Sequence, residues 1–154
     1  MKEITNYEEY LEKNGTLTYS NVGTSMMPLL RQGKDLFTVT RKGPERCRAG
    51  DVVLYKRPPN RYVLHRVVSV RPRDYVILGD NCVSREYGIT DRDILGVMTS
   101  YVRGKREHSI NDTGYRLYTF YIMHTLGPRV AVKKVYFRAR RLAKRLIYGK
   151  NGKK

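Results

Sequence analysis

Two runs, Asp51-Val52-Val53-Leu54-Tyr55-Lys56 and Tyr62-Val63-Leu64-His65-Arg66-Val67-Val68-Ser69-Val70, flank the turn Arg57-Pro58-Pro59-Asn60, and their reading decides the fold. Both are rich in β-branched and aromatic residues, which suit a pleated backbone, and the prolines between them end the first strand. The same pattern recurs outward. Thr16 to Val22 and Asp35 to Arg41 precede the pair, while Tyr75 to Leu78 and Ile94 to Val102 follow it. Lys42-Gly43-Pro44, Ala49-Gly50-Asp51 and Gly79-Asp80-Asn81 supply the turns. Short strands at close spacing, with no long helical period between them, predict a mainly β, mostly antiparallel domain. Asn6 ahead of Tyr7-Glu8-Glu9-Tyr10-Leu11, with Asn14-Gly15 behind, predicts a short capped helix.

Past Gly114 the character changes. Leu117 to Leu126 is apolar but too short to span a bilayer alone, and Gly127-Pro128 interrupts it. From Arg129 to Tyr148 the apolar residues Val132, Val135, Tyr136, Ala139, Leu142, Ala143, Leu146 and Ile147 recur at helical spacing. Basic residues fill most of the intervals, which predicts a basic amphipathic helix. The chain is thus divided into a β domain, 1–112, and a helical tail, 113–154. Charge follows that division: of 31 Lys and Arg, twelve lie in the tail, which holds none of the fourteen Asp and Glu. Such a block seeks polyanions, and the thirteen Tyr suit half-exposed strands or a water–membrane boundary. An anionic membrane surface met through 129–148 is the leading expectation. A helix packed on the β domain and a nucleic-acid contact are the alternatives.

Two isolated cysteines, Cys47 and Cys82, propose neither a disulfide framework nor a zinc site, and no metal or cofactor is expected. Met1 to Gly15 is charged and carries no apolar run, so no signal peptide or leading anchor is expected there. A peripheral-membrane or cytoplasmic protein is the resulting expectation.

Four segments carry chemistry by their order: Val22-Gly23-Thr24-Ser25-Met26-Met27-Pro28, Gly50-Asp51-Val52-Val53, Leu64-His65-Arg66-Val67-Val68 and Leu78-Gly79-Asp80-Asn81. Each alone is an ordinary turn or strand. Together, from about Val22 to Met98, they resemble the signal peptidase I and LexA-like serine peptidases. The Ser-Met-x-Pro, Gly-Asp-Val-Val and Gly-Asp-Asn elements stand in that family's order, and Asp93-Ile94-Leu95-Gly96-Val97 resembles its closing strand. The resemblance implies a coiled antiparallel β-sheet peptidase domain with Ser25 as nucleophile. It also implies a base, which a serine hydroxyl needs at neutral pH. The bacterial branch uses a buried Lys, whereas the endoplasmic-reticulum and archaeal branch uses His. Here His65 occupies the His-branch position, and Lys56 is the other candidate.

Asp80 is the leading acid to orient His65, by its place in the turn that the family brings beside the site. It is matched by a purely structural role as a turn residue. The acid pair expected after Gly-Asp-Asn is replaced by Cys82-Val83-Ser84-Arg85-Glu86, so Glu86 or no acid at all are the other possibilities. Gly23 stands where many signal peptidases have an oxyanion-hole Ser, which leaves backbone amides for that task. Met26 and Pro28 would line the pocket or pin the turn. The implied activity is endoproteolysis of a precursor, leader or signal peptide through an acyl-enzyme. Two further readings stand beside it. A LexA-like self-cleaving regulator would need a DNA-binding domain, for which residues 1–21 are too few. A non-catalytic basic binding module on a peptidase-like scaffold would need no nucleophile.

Overall fold

The computed structural model describes residues 6–148. Residues 1–5, part of the stretch read as lacking an anchor, and 149–154, the end of the basic tail, lie outside them. The central hairpin is β3 (Val52–Arg57) against β4 (Arg61–Val70), registered from Val52 opposite Arg66 to Arg57 opposite Arg61. Before it come α1 (Tyr7–Asn14), β1 (Thr16–Ser20) and β2 (Asp35–Arg41). After it come β5 (Tyr75–Leu78), β6 (Glu86–Ile89), β7 (Ile94–Arg103), β8 (Arg106–Ser109), α2 (Thr113–His124) and α3 (Leu126–Tyr148). The strands form one antiparallel sheet in the order β1-β2-β7-β3-β4-β5-β6, with β8 on β7. The mainly β expectation holds.

The run Val52-Val53-Leu54-Tyr55 is apolar without a break because β3 is buried on both faces. Successive side chains point to opposite sides of a pleated strand. Val52 and Leu54 therefore join one core with Leu11, Leu17, Met26, Leu30 and Phe37, while Val53 and Tyr55 join a second with Val67, Tyr75, Ile77 and Ile94. Register shifts at Thr38/Val39, Leu54/Tyr55 and Val67/Ser69 interrupt the ladders, and such bulges bend and twist a sheet.

The α1 caps are those the sequence predicts. Asn6 Oδ1 accepts the Glu9 N–H at 2.8 Å, and Gly15 closes the helix at φ 73°. The expected strand at Thr16–Val22 stops at Ser20. Asn21 leaves the ladder to bury its amide, which donates to the carbonyls of Gly23 and Leu30. Strands β6 and β8 were not expected. Glu86-Tyr87-Gly88-Ile89 and Arg106-Glu107-His108-Ser109 lack a β-branched pattern, and they extend only because β5 and β7 offer edges to pair with.

At the C-terminus the break falls at Thr125, and Gly127-Pro128 lie in the first turn of α3, where a missing N–H costs nothing. The two helices that follow residue 112 differ in their packing. Tyr115 belongs to the first core and Ile122 is buried, so α2 packs through these two side chains. Among the described residues no helix is long and apolar enough to cross a membrane.

Candidate active site

The Ser25 loop follows β1 and is held at both ends. Gly23 takes φ 91°, a left-handed conformation that side chains resist, and so the chain can reverse there. Met26 is wholly buried in the first core, which pins the residue next to Ser25. The Pro28 carbonyl accepts from Arg103 at 2.9 Å. Met26 and Pro28 thus fix the turn and, contrary to the pocket alternative, do not form the wall of the cleft. Within the turn, Met27 N–H bonds the Thr24 carbonyl and Leu30 N–H bonds that of Met26, which leaves the Ser25 N–H outside these bonds.

The Gly79-Asp80-Asn81 turn clamps this loop from the other side. Asn81 donates its backbone N–H to the Ser25 carbonyl at 2.7 Å and its side-chain amide to that of Thr24 at 3.1 Å. Gly79 is the closest point of the assembly. A Cβ there would stand 2.7 Å from the Ser25 carbonyl oxygen, 2.8 Å from Cys82 Sγ and 3.0 Å from Cδ2 of His65. Only a hydrogen at residue 79 lets the serine loop and the imidazole approach the same spot.

Ser25 and His65 share the wall of a cleft of about 800 Å³ with Tyr19, Leu54, Cys82 and Phe137. The His65 ring is nearly buried, with 7% of the residue exposed. Its Nδ1 lies 3.2 Å from the Tyr55 hydroxyl and 3.3 Å from Glu86 Oε1. Arg57 also donates to Glu86 Oε1, at 3.0 Å. Burial pushes the His65 pKa below its ordinary 6.5. Glu86 and Asp80 pull it up and Arg57 pushes it down, but burial prevails. At neutral pH the ring is therefore uncharged. With the proton on Nδ1, beside Tyr55 and Glu86, Nε2 is the free acceptor that a general base needs. Among the described residues no hydrogen bond joins that ring to the Ser25 hydroxyl. Such bonds often tighten only with substrate present.

Asp80 is not the acid that faces His65. His65 and Arg66 are adjacent on β4 and point to opposite sides of the sheet, and Arg66 takes Asp80. The guanidinium donates twice to the carboxylate, both at 2.8 Å, and the two side chains are fully buried. Tyr118 donates to the same carboxylate at 2.9 Å. Arg66 further donates to the Gly50 carbonyl at 2.7 Å and to Thr119 Oγ1 at 3.1 Å. With its oxygens occupied there, the Asp80 carboxylate holds the turn in place and leaves the imidazole to Glu86. The acid beside the imidazole is thus Glu86 and not the expected Asp80.

Lys56, the other base candidate, is turned toward α1. Its ammonium pairs with Glu8 of α1 at 2.8 Å, which raises its pKa further. Cys82 lies in the cleft wall, and burial raises its thiol pKa, which keeps it protonated.

Sequence reading missed Tyr55, Arg57 and Asn81. The first two carried a signal: Val53 pairs with His65, so Val53, Tyr55 and Arg57 share its face at period two. Asn81 was read only as a turn residue. No family model, curated protein or solved structure matches this chain.

Proposed function

We propose that the chain is a serine endopeptidase in which Ser25 attacks, His65 removes its proton and Glu86 orients and supports the imidazole. One observation carries the reading: the Ser25 loop and the His65 ring converge on Gly79, with a carboxylate at the far ring nitrogen. His65 Nε2 accepts the hydroxyl proton as Ser25 Oγ bonds to the scissile carbonyl carbon. The tetrahedral oxyanion is met by the uncommitted Ser25 N–H. The imidazolium then gives its proton to the leaving amine, and an acyl-enzyme remains. A water deprotonated by the same ring releases the acid product. The substrate of this reading is a precursor, leader or signal peptide laid in the cleft.

The test is labelling with a fluorophosphonate. Ser25 is the expected site of modification, and labelling is expected to vanish in Ser25→Ala and to fall steeply in His65→Ala. Labelling elsewhere, or none, sinks the reading. It would leave the non-catalytic module as the better account.

A second reading concerns location. Along α3, Val132, Val135, Tyr136, Leu142 and Leu146 are exposed in one stripe. We propose that this apolar surface rests on an anionic membrane as a peripheral anchor. The paired changes Val135→Asp and Leu142→Asp are expected to abolish flotation with phosphatidylserine vesicles. Flotation that survives them rejects the anchor.

A further inference from the structure

The basic residues of α3 do not simply flank its apolar stripe. At about 100° per residue, Lys134, Phe137, Arg141 and Lys144 lie on the side opposite Val132, Val135, Ala139 and Leu146. That side lines a second groove with Arg138, Arg140 and Val83. Val83 and Phe137 belong to the walls of both the groove and the Ser25 cleft, so the two are one continuous depression. No acid lines the groove, and none of its five cations takes part in an ion pair among the described residues. Its position relative to Ser25 is set by α3 itself. Lys133 donates to Asn81 Oδ1 at 2.6 Å, and Arg129 donates to the Asp80 carbonyl, so the helix is tied to the turn that clamps the serine loop.

Resting on the peptidase reading, we propose that this groove selects the substrate. It binds an acidic stretch of the same polypeptide whose scissile bond lies in the Ser25 cleft. Continuity with the cleft favours an extended peptide over other polyanions. A bilayer that takes up the apolar stripe meets the opposite side of the helix. A nucleic acid would find one aromatic, Phe137, among the groove residues and nothing for bases to stack on in series.

The test uses the full chain with Ser25→Ala and two fluorescein-labelled peptides, one with a run of glutamates and one with glutamines in their place. The glutamate peptide is expected to bind about tenfold or more tightly, with the difference fading as salt rises. The combined change Lys134→Gln, Arg138→Gln, Arg141→Gln and Lys144→Gln should remove the preference without lowering Tm. In the unmodified chain the glutamate peptide should slow fluorophosphonate labelling of Ser25, and the glutamine peptide should not. Equal binding of the two peptides, or a preference that survives the four changes, overturns the proposal. So does a result in which the four changes weaken binding of phosphatidylserine vesicles or an oligonucleotide but not of the peptide. If Ser25 never labels, the peptidase reading fails by itself, and the binding comparison still decides the groove.

Discussion

On β4, His65 and Arg66 follow one another and face opposite sides of the sheet, so two different polar sites lie one peptide apart. On the Arg66 side the guanidinium and the carboxylate are both matched. The guanidinium meets Asp80, Gly50 and Thr119, and Tyr118 completes the carboxylate. On the His65 side the matching is partial. One Glu86 oxygen serves both Arg57 and the imidazole, and the free ring edge opens to the cleft. A saturated network holds a turn still. An unsaturated one, placed against it, has a lone pair left for chemistry. On the peptidase reading proposed above, the rigid site serves the reactive one, because the Asp80 turn is what presses Asn81 and Gly79 onto the serine loop.

The largest expected break of this comparison is His65→Ala. Hydrolysis of any substrate should fall about 10⁴-fold while Tm moves by only a few degrees. A variant that keeps its rate would remove His65 from the chemistry. Next in size is Arg66→Met, which strands a buried carboxylate. Removing one partner of a buried pair costs about 3–5 kcal/mol, to be read as a loss of stability in urea unfolding. The double change Arg66→Met with Asp80→Leu should recover part of it. If Arg66→Met alone unfolds no more easily than the parent, the network is not what holds the turn.

Glu86→Gln sharpens the contrast between the two acids. It should lower kcat/KM by roughly 10–100-fold, less than a fully buried triad acid would cost, because Glu86 is shared with Arg57 and partly exposed. Its stability should change little. Asp80→Asn should behave in the reverse way, losing stability first. The smallest effect is a displacement of the pH profile. In the proposed mechanism the reactive form is neutral His65, so activity should fall as pH drops through its pKa, which burial holds below 6.5. Arg57 lowers that pKa, so Arg57→Met should move the acid limb of kcat/KM to higher pH. Glu86→Gln removes a charge that raises it and should move the limb lower. Limbs that shift in the opposite senses would reject the assignment of the titrating group to His65.

Much of the fold was legible because its signals are local. Asn6 and Gly15 announce α1, and the runs at 35–41, 51–56, 62–70 and 75–78 carry β-branched residues between glycine and proline turns. What escaped was context. Strands β6 and β8 have unremarkable sequences and exist as partners of an edge. The packing of α2 rests on Tyr115 and Ile122, in a segment so evenly apolar that the sequence does not set them apart from the exposed Leu117, Phe120 and Tyr121. The α3 period was plain, yet the side it turns to the cleft depends on Lys133 and Arg129 reaching the Asp80-Asn81 turn.

The site divides in the same way. By itself the sequence determined the proposed nucleophile and base, because Ser25 and His65 sit in segments whose order is read along the chain. It also determined that the C-terminal helix would be basic and amphipathic. Only the tertiary structure decided which carboxylate serves which cation. Asp80 and Glu86 are equally acidic on paper and lie six residues apart. The pleat of β4 sends Arg66 to one face and His65 to the other, and the β5–β6 connection delivers one acid to each. Pairing is a matter of distance in space, and spacing along the chain does not contain it.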